Sequence, residues 1–329
     1  MKSIFFVYNS GQLSKKDNSL IFVGKYKNFY IPVEQVDTII FYGEITFNKR
    51  VLQLLNKYQI EAMFYNYYGT FIGKFVPKEY KDGKILVKQA LAYNDETRRL
   101  YIAKMITYYS MRNMIALAKY YRKKGKNLDV QIGKMEYCIS RVDSIESNER
   151  LLLLEARFKL IYYSIFDVIL EEEKFKFVKR TTRPPLNEVN AIMSYGYSLL
   201  YGIILSIIDR SDLSSHISFI HSLNKSNDSL QLDLADIYKP ILVDRIMLRI
   251  IRKRQINEDC FDYGENSKCY LNENGSKLFI NEFNKLLKTT VEYHDKSYTY
   301  KTLLNREVNE LSEYIKENVD ELKFYEMKW

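Results

Sequence analysis

The segment Lys78-Glu79-Tyr80-Lys81-Asp82-Gly83-Lys84 separates two rhythms in this chain. Up to its Gly83, short apolar runs such as Ile4 to Tyr8, Leu20 to Val23, Thr38 to Tyr42 and Phe71 to Val76 are punctuated by half of the twelve glycines, the pattern of strands and tight turns. Ala62-Met63-Phe64-Tyr65 alternates, and Arg50 to Tyr58 reads as a short amphipathic helix among the strands. After the segment no proline occurs between Pro77 and Pro184, and apolar residues recur at three and four, so helices dominate. The expectation is a two-domain α+β protein. Residues 1–83 form an N-terminal β-sandwich-like domain and residues 84–329 a larger all-α domain, with the polar, glycine-containing segment as the link. Within the helical part, Asn257 to Asn274 is rich in polar residues and glycine and reads as a loop or small β-excursion.

At 329 residues there is chain enough for two cores. Fifty Lys and Arg against 41 Asp and Glu leave a net charge of +9, which points to an acidic partner such as nucleic acid or an anionic membrane surface. The 29 tyrosines suit interfaces and base stacking, and equally suit packing. Cys138, Cys260 and Cys269 have no zinc-type spacing, so neither a disulfide framework nor a zinc site is expected, and the cytoplasm is the default location. Val189 to Ile208 carries no charged residue and approaches the length of a membrane span. Its Asn, Ser, Gly and Tyr content favours a buried central helix instead, and no membrane is expected.

The chemistry is concentrated between His221 and Asp236. Asp233 and Asp236 lie three apart, one helical turn, where two carboxylates share a side and can share a cation or a proton. Glu155 interrupts Leu151-Leu152-Leu153-Leu154 and has Phe158 and Tyr162 at helical spacings on its own face. A carboxylate on such a stripe faces protein, where it must be neutralised, salt-bridged or bound to metal. Glu155 could simply pair with Arg157 or Lys159, and an isolated His is more often an ordinary residue than a ligand.

Three basic clusters stand out: Arg122-Lys123-Lys124 with Lys126, Lys174 through Arg183, and Arg245, Arg249, Arg252, Lys253 and Arg254. In the third, spacings of four and three line one helical face with guanidinium groups, which match phosphate bidentately. A solvated, partly paired face is the plainer alternative.

Taken together, Glu155 in Leu-Leu-Glu-Ala-Arg-Phe-Lys-Leu-Ile-Tyr-Tyr, Arg183-Pro184-Pro185 with Asn190 and Tyr195-Gly196-Tyr197, Phe219-Ile220-His221, and Leu232-Asp233-Leu234-Ala235-Asp236-Ile237-Tyr238-Lys239-Pro240 resemble the first-numbered family of CRISPR-associated (Cas) proteins, the endonuclease/integrase of spacer acquisition. The resemblance runs from Val7-Tyr8 through Tyr270-Leu271 to Trp329. It departs at Ala156, where Gly is common, at Asp236-Ile237-Tyr238-Lys239-Pro240, where Glu-x-Phe-Arg-Pro is common, and at Ser110, where Lys is common.

The resemblance implies that Glu155, His221 and Asp236 are catalytic and hold one divalent metal, with Asp233 orienting a ligand or water beside them. Oxygen ligands with one imidazole suit Mg²⁺ or Mn²⁺. Lys239, Arg245, Arg249, Arg252 and Arg183 are the candidates for nucleic acid. It also implies insertion of short double-stranded DNA fragments into a CRISPR repeat array by transesterification. The partners it implies are a homodimer joined through the β-domains and the small ferredoxin-like second-numbered Cas protein. No phosphate-loop motif is found, as expected when one ester replaces another. The rival functions are a structure-directed DNase without joining activity and a non-catalytic nucleic-acid scaffold in which Glu155 is only salt-bridged.

Overall fold

Strand-forming runs in the first 75 residues assemble two four-stranded sheets in the computed structural model, which describes residues 2–25, 27–78, 81–221, 223 and 228–328. Glu79 and Tyr80 of the expected link, Trp329, and positions 222 and 224–227 of the expected site segment lie outside the described residues. The elements are β1 (Ser3–Val7), β2 (Gly11–Lys16), β3 (Ser19–Gly24), β4 (Asn28–Ile31), β5 (Val36–Phe41), β6 (Ile45–Phe47), α1 (Lys49–Tyr58), β7 (Glu61–Tyr65) and β8 (Phe71–Phe75). One sheet has the order β1-β5-β7-β8, the other β4-β3-β2-β6. β1, β5 and β7 are mutually parallel and β8 closes the sheet antiparallel. The central parallel strand β5 is buried on both faces at all but one position, as parallel strands are. β3 instead alternates, with Leu20 and Phe22 turned inward. Those side chains pack with Val7, Leu13, Ile31, Ile39 and Phe41 and with Val51, Leu54 and Leu55 of α1 in one core. Gly11 is required where β2 meets β3, because a Cβ there would stand 2.5 Å from the Val23 carbonyl oxygen.

The chain divides into two compact units, Met1–Lys81 and Asp82–Trp329. The second is mostly helical: α2 (Gly83–Asn94), α3 (Glu96–Lys123), α4 (Asp129–Ile139), α5 (Asn148–Tyr163), α6 (Ile165–Leu170), α7 (Glu188–Asp209), α8 (Leu230–Tyr238), α9 (Arg245–Arg252), α10 (Glu273–Leu287) and α11 (Tyr300–Lys316). Two hairpins punctuate the helices, β9 (Phe261–Tyr263) with β10 (Cys269–Leu271), and β11 (Thr290–Tyr293) with β12 (Lys296–Thr299). The first falls in the polar stretch after Asn257. The second turns on His294 and Asp295, both at positive φ, the backbone of a tight two-residue hairpin turn.

Among the described residues α7 is the one helix long and apolar enough to cross a membrane, and 83% of its most apolar window is buried inside the protein. It is packed so closely that a Cβ on Gly196 would lie 2.5 Å from a Val243 methyl and 2.6 Å from the Phe279 ring.

Between α8 and α9, Lys239–Asp244 forms a π-helical turn with Pro240 at its start. Proline has no N–H to give the carbonyl four residues back, and the ladder widens. The buried Asp236 and Ile237 carbonyls are met from α3. Ser110 donates to the Asp236 oxygen at 2.9 Å and the Asn113 amide to the Ile237 oxygen at 3.0 Å.

Candidate active site

Glu155 and Asp236 share a single ammonium. On α5 the buried positions Leu151, Glu155, Phe158 and Tyr162 form one stripe, so the carboxylate at 155 points into protein because its helical neighbours do. Lys159, one turn on, reaches Glu155 Oε1 at 2.9 Å and Asp236 Oδ2 at 3.1 Å. Lys239 sits on Asp236 Oδ1, with its ammonium 5.0 Å and 4.9 Å from the ring centres of Tyr197 and Tyr201.

The electrostatics follow from that placement. Burial pushes the Asp236 carboxyl up, but Lys159, Lys239 and His221 together hold it well below the ordinary range. Glu155 goes the other way, because burial and the nearby Asp236 charge outweigh its share of Lys159. Burial lowers both lysines less than the carboxylates raise them, so each stays a cation. The pair of acids is therefore unequal, one firmly ionised and one held closer to neutrality.

Asp233 organises His221. Its Oδ2 accepts the backbone N–H groups of Phe219 at 2.7 Å and Ile220 at 3.0 Å. Oδ1 accepts the His221 N–H at 3.3 Å and lies 2.5 Å from His221 Nδ1. A proton on Nδ1 directed at this carboxylate leaves the Nε2 lone pair as the free donor, the arrangement that suits a metal-binding imidazole. Burial lowers the imidazole pKa, yet the hydrogen bond and charge of Asp233 and the charge of Asp236 more than offset it, and the net shift is upward.

Beneath the cluster, Asp244 is fully buried and accepts hydroxyl protons from Tyr162 of α5 and Tyr197 of α7, each at 2.7 Å. Burial raises its carboxyl to about 6 against those hydrogen bonds. Arg180 braces the approach to α7 through Asn190 and Ser194. Lys159 was legible in the sequence only as a salt-bridge partner for Glu155. Tyr162 was legible on the Glu155 stripe, but Ser110, Asn113 and the bridge from Tyr162 through Asp244 to Tyr197 gave no periodic signal, although Pro240 marks where the ladder must open.

Among the described residues no three His, Cys, Asp or Glu side chains stand close enough as placed to hold a metal ion. The donor chemistry nevertheless fits a hard divalent cation. Two carboxylates from different helices already share one positive centre, and an imidazole oriented through Nδ1 belongs to the same electrostatic cluster.

The arginine line is less free than its spacing suggests. Arg249 is tied to Glu282 at 2.6 Å, and Arg245 lies 3.4 Å from the Tyr300 hydroxyl. Arg252 is exposed, with its guanidinium 5.5 Å from the Tyr121 ring centre. Arg183 is exposed beside the cis bond to Pro184. Lys239 is largely buried against Asp236.

The model of the CRISPR-associated protein Cas1 family matches residues 5–285. The chain belongs to the Cas1 family. A CRISPR-associated endonuclease Cas1 of Thermodesulfovibrio yellowstonii is 32% identical over 332 residues, covering 100% of both chains. The Cas1 endonuclease of Thermotoga maritima is 34% identical over 321 residues, 96% of this chain and 97% of that one. The solved structure of a Thermotoga maritima Cas1 protein superposes with a TM-score of 0.85 at 32% identity, covering 95% and 97% of the two chains. A casposase bound to its integration product shares the fold, with a TM-score of 0.90 at 21% identity over 100% of this chain and 95% of that one.

Proposed function

We propose that this Cas1 family member is a divalent-metal-dependent DNA endonuclease and integrase of CRISPR adaptation. The observation that carries the reading is the convergence of Glu155 and Asp236, from α5 and α8, on one cation. Glu155, Asp236 and Nε2 of His221 are the atoms that would hold Mg²⁺ or Mn²⁺, with Asp233 fixing the imidazole. Bound there, the ion supplies positive charge to a non-bridging phosphate oxygen. Lys239 adds a fixed cation at the same place, and the Asp244 bridge keeps α5 and α7 from separating under it.

In the reaction, the 3′-hydroxyl oxygen of a captured fragment forms a new P–O bond at the edge of a repeat. The attacking hydroxyl gives up its proton, the existing P–O3′ bond breaks, and the displaced oxygen takes up a proton, so no net proton is consumed. One phosphodiester replaces another, so no triphosphate is consumed. The substrates are a double-stranded DNA fragment and the CRISPR repeat. The assembly is a homodimer joined through residues 1–83, with residues 84–329 catalytic, together with a small ferredoxin-like Cas2 partner. Solved complexes named as Cas6-RT-Cas1 with Cas2 share the fold and motivate that partner. The Lys159–Glu155 pair alone would equally suit a scaffold, and the relatives' name of endonuclease a nuclease that cuts without joining.

One assay separates the three. Purified protein, the small partner, a DNA fragment and a repeat-bearing plasmid are incubated with Mn²⁺, Mg²⁺ or chelator. Joined strands that require metal are expected. Cut strands without joints indicate the plain nuclease, and DNA binding unchanged by chelation with no turnover indicates the scaffold.

A further inference from the structure

Two lysines neutralise the carboxylates at the candidate site, and they are held differently. Lys239 belongs to the same turn as Asp236, lies over the Tyr197 and Tyr201 rings, and has a side chain only 12% exposed. Lys159 arrives from another helix, is 23% exposed, and spans Glu155 and Asp236 with its ammonium alone. With both acids ionised, as a bound cation requires, two carboxylates and two ammoniums balance. A divalent ion added with both lysines in place would leave two uncompensated positive charges in a poorly solvated cluster, where like charges repel strongly. Rotating the flexible stem of Lys159 toward solvent removes one of them and frees an oxygen on each carboxylate.

We infer that Lys159 is the protein's own substitute for the catalytic cation: it holds Glu155 and Asp236 together in the metal-free protein and is displaced to solvent when a divalent ion binds. The inference rests on the metal-site reading above. It makes Lys159 a positioning residue that competes with metal, keeping the unliganded acids paired at the expense of affinity.

Chemical labelling tests this without altering the protein. The full chain is treated with an amine-acetylating reagent with and without MnCl₂, and acetylation of each lysine is read by peptide mass spectrometry, with Lys277 on the surface of α10 as the control. Lys159 should be protected in the metal-free protein and labelled about five-fold faster or more at saturating Mn²⁺, with Lys277 unchanged. Free labelling without metal, or protection that persists while Mn²⁺ is bound, overturns the inference.

Calorimetric titration with MnCl₂ gives an independent reading. Lys159→Met should bind about ten-fold tighter than the parent chain and melt at a lower temperature without metal, while Lys159→Arg, which keeps the competing charge, should stay within a few-fold of the parent affinity. A folded Lys159→Met that binds no tighter overturns the inference alone. If neither the parent chain nor Lys159→Met binds Mn²⁺, the metal-site reading fails and takes this one with it.

Discussion

Asp233 grips His221 at two points, accepting its backbone N–H at 3.3 Å and lying 2.5 Å from its Nδ1. The same carboxylate collects the N–H groups of Phe219 and Ile220, so the strap carrying the imidazole is wound around one buried acid. Asp233→Asn keeps the shape but offers one acceptor oxygen and an NH₂ that opposes donors. The expected result is a roughly 10- to 100-fold loss of Mn²⁺ affinity and of DNA processing, the scale seen when the partner orienting a metal-binding His is removed. Calorimetric titration beside the integration assay checks it. Unchanged metal affinity in the folded variant would show that His221 needs no such anchor.

Ser110 supports the other acid through the backbone. Its hydroxyl meets the Asp236 carbonyl, which Pro240 cannot serve. Ser110→Ala leaves that buried acceptor short of a donor, at a cost of about 1–3 kcal/mol. Urea denaturation should report that loss with an unaltered m-value. Ser110→Thr, which restores a hydroxyl, should recover part of it.

Why some of this could be read from the sequence and some could not is visible in these residues. Glu155 was legible because a charge in a leucine run breaks a helical pattern, and Asp233 with Asp236 because one turn separates them. Their division of labour came only from the family resemblance and not from spacing, since whether an acid faces a backbone strap or a lysine is decided by tertiary packing. The β-sandwich was legible in its apolar strands. β2, β4 and β6 carried weaker signals, as they are polar or only three to six residues long. The arginine periodicity of α9 correctly marks one face, but spacing says nothing of what stands opposite, and Glu282 on α10 is remote in sequence.

That difference between the arginines is itself testable. Arg252, exposed on α9, should behave as a phosphate contact: Arg252→Ala should weaken duplex binding at every sequence and reduce the slope of log affinity against log salt by about 0.9. Arg249→Ala breaks the Glu282 pair and should mainly cost stability, roughly 0.5–1 kcal/mol for a partly exposed ion pair. Fluorescence anisotropy across a salt series, beside thermal melts, separates the two. A full unit of lost salt slope for Arg249→Ala would mean that it leaves Glu282 to reach DNA.

Glu307 on α11 ties the stability of the helical unit to pH. It is fully buried, and a single oxygen accepts both the Tyr238 hydroxyl at 2.8 Å and the Tyr325 backbone N–H at 2.9 Å. Burial raises its carboxyl from the ordinary 4.5 to about 8, against those two hydrogen bonds. Below the ordinary value both folded and unfolded chains hold the proton. Between there and about 8 only the folded chain does, so stability falls as pH rises, by up to about 1.4 kcal/mol per unit for this one group. Above the raised value the loss is complete and the slope from this group vanishes. Glu307→Gln keeps an acceptor for Tyr238 and Tyr325 and has no proton to lose. Its stability should therefore be nearly flat with respect to this group, exceeding that of the parent chain at pH 8–9 and converging on it near pH 5. Paired urea titrations across that range check the sign, and a parent chain that gains stability relative to Glu307→Gln on going from pH 5 to 8 would show that Glu307 is ionised in the folded protein.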